Sequence, residues 1–426
     1  MGSATPLTDV VSAEALETRP GDTAQIALGR APDAVVAPGS VEEVVELLSW
    51  AQATGVGVIP VGSGAHLGDR RPERSYLALS IARLRGVEIY EPADLTLTAA
   101  AGTPMATLAG ISGEHRQWLP FDPMDVPNRT LGGLAAAGVS GPLWAGYGHL
   151  RNHVLGMTVV CGDGRTLRLG GRVVKNVAGF DLIKPMVGSL GRLAVVTSVT
   201  MRLFPVPAVD RVLVLEAVGP AELVPAARAV ATAPTLPASI VLSFRPGAAS
   251  LLVRLHGAED TVDADQSTLE AHAGVSFVAR EGPEAEALLA TIRDAGEDAE
   301  VLLHARALPS KLGALLALTR GALVGANAGV DGGADSSATG GVDGVADGLV
   351  VADVAEGSAR VAFTGGDAGD VVQAVRAGAE ELGGTVVVDR CAVHVDPAAF
   401  STSRSAPAQE IGDGVKRLFD PGGVLL

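Results

Sequence analysis

Cysteine is scarce in this chain of 426 residues, since only Cys161 and Cys391 occur and they lie far apart in the sequence. Neither belongs to a C-x-x-C pair, so the sequence disfavours a disulfide framework, a zinc knuckle and an iron–sulfur cluster held by this chain alone. A chain with so few cysteines is simplest to place in a reducing compartment, and we therefore expect a cytoplasmic location.

Aromatic residues and net positive charge are also lacking. Aromatic residues make up 3% of the chain, whereas 47% of the residues are apolar, so small aliphatic side chains must fill the cores. That composition suits packed layers of helices and sheets. The formal net charge of −16 would repel a polyanion, and we expect no nucleic-acid partner.

Long apolar runs are missing as well. No stretch offers the roughly 18 consecutive apolar residues that a membrane-spanning helix requires. The first 20 residues lack a basic start followed by an apolar run, which is the pattern of a signal peptide. The sequence therefore predicts neither a membrane span nor a signal peptide.

Residues 31–60 predict a strand, a helix and a second strand. Ser40 suits the N-cap of the helix, Glu43 completes a capping box, and Gly55 ends the helix. The pattern changes after Pro207 to short apolar strands with helices between them, which predicts a second α+β unit on an antiparallel sheet. Gly, Ala, Asp and Ser dominate residues 325–348, which we interpret as a disordered insertion.

The first glycine-rich segment, "PVGSGAHLGDR" at residues 60–70, follows the apolar run Val56–Ile59. Its glycine spacing is not that of a dinucleotide-binding Rossmann fold, and no apolar helix follows it. Its consecutive small residues could turn main-chain N–H groups toward an anion, or the segment could be a plain turn. The residues alone leave both interpretations open.

A second small-residue segment, "NRTLGGLAAAGVSGP" at residues 128–142, contains Gly132 and Gly133 before a run of alanines. A diphosphate or a planar ligand could lie against such a backbone, because no bulky side chain intervenes. Tight helix packing is the alternative. The preceding stretch "WLPFDPMDVP" is rigid because of its prolines and could form the wall of a cleft.

From Ala34 to Pro207 the sequence resembles the FAD-binding domain of the vanillyl-alcohol-oxidase (p-cresol methylhydroxylase, PCMH) flavoprotein family. The two glycine-rich segments carry the resemblance, together with "GGRVVKNVAGFDL" and the later "GSLG". The last two motifs are similar to those of glycolate oxidase subunits. The resemblance implies an α+β fold, with a PCMH-type FAD-binding domain of two α+β subdomains and a second α+β cap domain built on an antiparallel sheet.

The resemblance also implies a division of the chain. We expect an N-terminal extension at residues 1–24, the FAD-binding domain at 25–207, the cap domain at 208–385 and a segment at 386–426 that returns to the first domain. By the same resemblance, FAD would contact the following residues, mostly through rigid main-chain groups: Val61, Gly62, Ser63, Gly64, Ala65, His66, Leu67, Thr130, Leu131, Gly132, Gly133, Ser140, Gly141, His153, Val154, Ala194, Val195 and Val196.

Two departures from the family pattern concern the cofactor. Val61 stands where the family loop often carries arginine, so one charged contact is missing. Covalent family members attach FAD through a histidine of this loop, but His66 lies one residue late, which favours non-covalent FAD. The "HxHxGDGN"-like signature of the catalytic relatives is missing, so we expect no bound metal and assign no catalytic residue.

The activity implied by the resemblance is oxidation of a 2-hydroxy acid, glycolate to glyoxylate. The electrons must then leave the flavin, so we expect a catalytic flavin subunit and an iron–sulfur subunit as partners, and association with a membrane only through such a complex. Two alternatives stay open. The chain could be a stand-alone FAD oxidase or dehydrogenase of another small alcohol or hydroxy acid, or a non-catalytic FAD-binding assembly subunit.

Overall fold

The computed structural model describes residues 6–12, 14–17, 31–67, 72–171, 180–217, 219–245, 247–325, 348–365, 368–391 and 406–426. They form an α+β unit with two main sheets, followed by an α+β unit with one large antiparallel sheet. The predicted insertion, except for residues 325 and 348, lies outside the described residues. Most of the motif "RVVKNVAGFDL" also lies outside them.

The first domain contains eleven described strands, which form a four-stranded sheet of order β1-β2-β4-β3, a five-stranded antiparallel sheet of order β5-β6-β10-β8-β9, and the pair β7-β11. Their bounds are β1 (Leu16–Glu17), β2 (Ala34–Val36), β3 (Gly57–Val61), β4 (Tyr76–Ser80), β5 (Val87–Glu91), β6 (Thr96–Ala100), β7 (Gln117–Trp118), β8 (Val154–Cys161), β9 (Thr166–Gly170), β10 (Ala194–Arg202) and β11 (Phe204–Pro205).

Five helices of four or more residues accompany these strands: α1 (Val41–Thr54), α2 (Met105–Gly113), α3 (Leu131–Ala137), α4 (Trp144–Tyr147) and α5 (Ile183–Met186). The predicted caps of α1 are confirmed. The Ser40 hydroxyl accepts a hydrogen bond from the Glu43 N–H, and Gly55 ends the helix in the left-handed region at φ 72°. The Glu43 carboxylate accepts the Gly39 N–H at 2.7 Å, one residue before the donor of a standard capping box.

One apolar core joins both main sheets of the first domain, and residues 406–426 contribute to it. Val424 and Leu425 are 1% exposed and pack in this core. Their main chain extends the four-stranded sheet, since the Val58 N–H donates to the Val424 carbonyl at 2.8 Å and the Leu426 N–H donates to the Val58 carbonyl at 3.0 Å. Strand β3 therefore enters the first glycine-rich segment from the middle of a completed sheet.

The second domain is built on eight antiparallel strands in the order β15-β12-β14-β13-β17-β18-β16-β19. The proposed domain boundary at residue 385 stays a prediction, and β19 crosses it. The bounds are β12 (Val209–Ala217), β13 (Ser239–Arg245), β14 (Ala248–Gly257), β15 (Val278–Glu281), β16 (Val301–Arg306), β17 (Leu349–Asp353), β18 (Ser358–Phe363) and β19 (Thr385–Cys391).

The helices that follow α5 are α6 (Pro220–Thr232), α7 (Glu259–Ala273), α8 (Gly282–Arg293), α9 (Leu312–Gly325), α10 (Ala368–Glu381) and α11 (Ala406–Phe419). Helices α6, α7, α9 and α10 cover one face of the large sheet. Helix α8 and Met124 of the first domain cover only part of the other face. No helix among the described residues is long and apolar enough to cross a membrane.

Candidate functional site

A narrow groove in the first domain brings together three of the sequence segments that were expected to share a ligand. It is lined by residues 60–67, Ile81, Arg129, Gly132, Gly133, Ala136, Ala137, Leu190, Gly191, Val195 and Val196. We call it the glycine groove. A Cβ atom on Gly62 would lie 2.5 Å from Thr130 Oγ1 and 3.2 Å from Gly133 Cα. The segments therefore approach so closely that only glycine fits at position 62.

The two glycines of the second glycine-rich segment have different surroundings, and ligand binding by this segment stays a prediction. A Cβ on Gly132 would lie 2.4 Å from the Cβ of Ala101, so Gly132 serves the packing of α3. Gly133 lines the glycine groove, and its N–H donates to the capping hydroxyl of Thr130 at 3.2 Å. Leu131 is buried beneath the same turn at 1% exposure. The turn thus places main chain rather than side chains along the groove.

The glycine groove opens into a larger cavity of about 850 Å³ between the two domains. Five residues line both spaces: Ala65, His66, Arg129, Ala137 and Leu190. We call the larger space the interdomain cavity. Its volume lies within the range of roughly 300–1,000 Å³ that is usual for small-molecule sites. Residues 122–125, whose backbone is restricted by proline, form part of its wall. The sequence predicted the wall of a cleft at this place.

The cap sheet forms the opposite wall and presents charged side chains from neighbouring strands. His304 on β16 pairs in register with Arg360 on β18, and Asp353 lies on β17 beside them. Sequence reasoning assigned none of these three residues to the site, because a single histidine such as His304 is more often a surface or hydrogen-bonded residue than a catalyst. The signal was present, because segments such as "LLHAR" and "VVADV" place a titratable residue among apolar neighbours, and alternate residues of a strand face opposite sides of the sheet.

Asp122 places a carboxyl group in the first domain's wall of the cavity. Its Oδ1 accepts the Leu143 N–H at 2.9 Å, and Gly141, with φ +75°, lies so close that a Cβ there would be 2.4 Å from Oδ1. Burial raises the pKa of the Asp122 carboxyl to about 6, against the lowering by the Leu143 hydrogen bond and by the charges of Arg254 and Arg293. Asp122 can therefore take up a proton near neutral pH.

Arg360 is a cation in the wall of the interdomain cavity with few partners. Burial lowers the pKa of its guanidinium to about 10. Its Nη2 donates to the Ile292 carbonyl at 2.8 Å, whereas its buried Nε has no hydrogen-bond partner among the described residues. A buried cation of this kind is stabilised by an anion that enters the cavity.

Asp353 connects the two domains. One oxygen accepts the indole N–H of Trp144, on α4 of the first domain, at 2.9 Å, and the other accepts the Glu356 N–H at 3.0 Å. Burial and the charge of Glu356 raise the pKa of Asp353 to about 7, although the Glu356 and Trp144 hydrogen bonds lower it. The contact between the domains therefore includes a carboxyl group that titrates near neutrality.

A chain of polar contacts runs from the groove to the cap sheet. The Arg129 Nη1 donates to His66 Nε2 at 2.7 Å, so the ring proton of His66 is on Nδ1, which lies 3.6 Å from Asp389 Oδ1. His304 Nδ1 lies 4.0 Å from the other oxygen of Asp389. Burial would raise the pKa of Asp389, but the neighbouring His66 and the charge of Arg129 keep it below its ordinary value.

The remaining residues expected at the site occupy different places. Ser140 and Gly141 line the interdomain cavity rather than the glycine groove. His153 is buried with its ring 5.6 Å from that of Phe121, and it lines neither space. Val154 and Ala194 are buried strand residues that also line neither space. A role of these residues in cofactor binding stays a prediction.

Comparison with known proteins shows which sequences and structures this chain is similar to. Residues 32–170 match the family model described as an FAD binding domain. The chain is 42% identical over 124 residues to glycolate oxidase subunit GlcE of Escherichia coli strain K12, which is 29% of this chain and 35% of that protein. It is 35% identical over 185 residues to D-2-hydroxyglutarate dehydrogenase of Xanthomonas citri pv. viticola, covering 43% of this chain and 39% of that protein.

The chain thus spans little more than a third of the length of these curated relatives. Among solved structures, an alkyldihydroxyacetonephosphate synthase matches with a TM-score of 0.69 at 16% identity, over 93% of this chain and 76% of the other. A likeness at that identity supports the fold, including the cap domain, and nothing further. Most of the residues that line the glycine groove lie within the matched residues 32–170, and the match to an FAD binding domain supports FAD as the cofactor.

Proposed function

We propose that this chain is the FAD-binding subunit of an oxidoreductase that oxidises a small 2-hydroxy acid, with glycolate to glyoxylate as the expected reaction. The glycine groove carries this proposal, because it opens directly into a cavity that holds both a sparsely partnered cation and a carboxyl of raised pKa. The names of two relatives, a glycolate oxidase subunit and a D-2-hydroxyglutarate dehydrogenase, refer to 2-hydroxy acids.

The residues present fit FAD. The glycine groove offers space of only about 60 Å³ and is lined by main chain and small side chains, which suits a diphosphate but excludes a ring system. The adjoining cavity of about 850 Å³ has room for the flavin ring and a small substrate. Residues 61–67, Gly133, Val195 and Val196 would hold the diphosphate side, whereas Ser140 and Gly141 would lie on the ring side.

Arg360 would bind the carboxylate of the substrate. Its guanidinium already lies in a low-dielectric wall, so a charge-assisted hydrogen bond there is stronger than one in water. The cap domain would thus recognise the acid group common to all 2-hydroxy acids.

Asp122 would accept the proton of the substrate hydroxyl. With a pKa of about 6 it is largely ionised at neutral pH and is still basic enough to act as a general base. Bound FAD supplies the two-electron acceptor that takes a hydride from the α-carbon. Loss of that hydride and of the hydroxyl proton converts the alcohol carbon into a carbonyl, so the product of glycolate is glyoxylate.

The electrons must then leave the chain. The chain has only two cysteines, Cys161 and Cys391, and both are buried, which is too few for the usual four-cysteine ligand set of an iron–sulfur cluster. We therefore propose that a catalytic flavin subunit and an iron–sulfur subunit accompany this chain. The match to a protein named as a subunit supports a complex, and association with a membrane would run through these partners.

Anaerobic mixing of the FAD-loaded chain with glycolate tests the proposal. Bleaching of the visible flavin band without any partner supports catalysis by this chain, and turnover with oxygen alone would indicate a stand-alone oxidase. The variant D122N should slow the bleaching by about 100-fold or more, whereas D260N, an exposed change on α7, should not. Bleaching that requires added partner subunits, with no effect of D122N, would favour a non-catalytic assembly subunit.

A further inference from the structure

The described lining of the glycine groove contains very few charged side chains. Its described lining includes one permanently charged residue, Arg129, and no carboxylate. Val61, at the start of the loop, is 1% exposed and apolar. His66 accepts a hydrogen bond from Arg129 and therefore does not act as a second cation in the groove. A doubly charged diphosphate in this groove would meet a single cation.

Arg129 is itself a poorly compensated buried charge. Arg129 is 4% exposed, and no carboxylate oxygen among the described residues lies within ion-pair distance of its guanidinium. Asp125 and Asp389 act on it only from farther away. Burying a cation without an ion pair is costly, and such residues are normally paired once their ligand is bound.

The hydrogen bonds of Arg129 leave part of its guanidinium unused. Nε donates to the Met124 carbonyl at 3.0 Å, and Nη1 donates to His66 Nε2 at 2.7 Å. A guanidinium has five N–H groups, so three remain, and none has an acceptor in the part of the chain that the structure describes. These two bonds fix the plane of the guanidinium at the junction of the groove and the interdomain cavity.

We propose that Arg129 binds the diphosphate of FAD, a role that rests on FAD being the cofactor of this groove. Arg129 lies in the turn before α3, where it lines both the glycine groove and the interdomain cavity, so its free N–H groups would be available to an anion held there. Planar bidentate pairing with phosphate oxygens is the contact for which arginine is best suited. The main-chain N–H groups around Gly62 and Gly133 then complete the anion site.

Titration of the whole apo chain with FAD tests this role. The variant R129M removes the charge, R129Q keeps a donor for the Met124 carbonyl, and R228M is the matched control at an exposed arginine on α6. R129M and R129Q should weaken FAD binding by about 10- to 100-fold, the usual effect of losing a charged hydrogen bond. R228M should bind FAD as the wild type does.

A second probe, ADP, separates the diphosphate from the flavin ring. If Arg129 binds the diphosphate, R129Q weakens ADP and FAD by similar factors. Weaker FAD with unchanged ADP would place the cation at the ring and overturn the proposal. So would unchanged FAD affinity with a lower melting temperature of the apo protein, which is the result of a purely structural role. A wild-type chain that binds no FAD would overturn the cofactor and this role together.

Discussion

A single methyl group at Gly62 tests whether the two glycine-rich segments meet as described. In G62A the new Cβ would lie 2.5 Å from Thr130 Oγ1, and 3.2 Å from Gly133 Cα, far inside ordinary contact distance. Gly62 does not have a left-handed backbone conformation, so the alanine is opposed by these atoms alone and not by its own torsion angles. The clash is thus a direct measure of the approach.

The size of the effect follows from what must move. Relief of the clash requires rotation of the Thr130 side chain, which breaks its capping bond to the Gly133 N–H. Overpacking of this kind costs about 1–3 kcal/mol. The variant T130A, which removes the cap, should cost about 1 kcal/mol. In G62A/T130A the closest clashing atom is gone, so the double variant should be more stable than the sum of the single effects predicts, by about 1 kcal/mol.

Denaturant or thermal unfolding of the apo chain measures these values. A change of 1 kcal/mol moves the melting temperature by about 2–4 °C in a domain of this size. The matched control is G110A, because Gly110 lies in α2 and its Cβ would meet nothing within 4 Å. That alanine should leave stability unchanged or raise it by up to about 1 kcal/mol.

Additive effects in the double variant would refute the reasoning. They would mean that Gly62 and Thr130 do not touch in solution, and the glycine groove would then have no basis. A G62A variant with the same unfolding free energy as the wild type would lead to the same conclusion. FAD titration adds a second readout, since G62A should also weaken FAD binding relative to G110A.

Three further predictions concern other parts of the site. The pKa of Asp353 is raised from 3.8 to about 7, so the contribution of Asp353 to stability is lost as the pH rises through that range. The variant D353N should therefore gain stability relative to the wild type as the pH rises from about 4 to about 7. A constant difference in melting temperature between the two proteins across that range would contradict this. Replacing Arg360 by Lys should raise the KM for glycolate roughly 10-fold or more and leave FAD affinity unchanged, and an unchanged KM would remove its role in carboxylate binding. Since Arg129 and Asp389 engage both ring nitrogens of His66, FAD should stay in the supernatant after acid precipitation, and a yellow pellet would show covalent attachment.

Local signals in the sequence predicted the elements that depend on near neighbours. Ser40 and Gly55 delimit α1 because capping and a left-handed glycine act within one turn of the helix. The α+β unit on an antiparallel sheet after Pro207 followed from the pattern of apolar strands and helices, whereas the fold of the first domain followed from the family resemblance, and both are confirmed. The meeting of Gly62 with Gly133 came from the family resemblance, since the residues alone left a plain turn open.

The cap wall of the interdomain cavity could not be predicted in the same way. The register that places His304 beside Arg360 joins strands that are far apart in the sequence, and no local rule fixes it. The raised pKa of Asp122 depends on burial by both domains. Without the relative placement of the domains, each of these residues is an ordinary charged residue in a strand or a loop.

The pairing of Val58 with Val424 and Leu426 links cofactor binding to the order of synthesis. The strand that leads into the glycine groove acquires one of its neighbours only after the whole cap domain has emerged from the ribosome. Chains are made at about 5–20 residues per second, and domains usually fold as units while this proceeds. The edge of β3 that pairs with Val424 and Leu426 therefore stays uncovered until the second domain has been made.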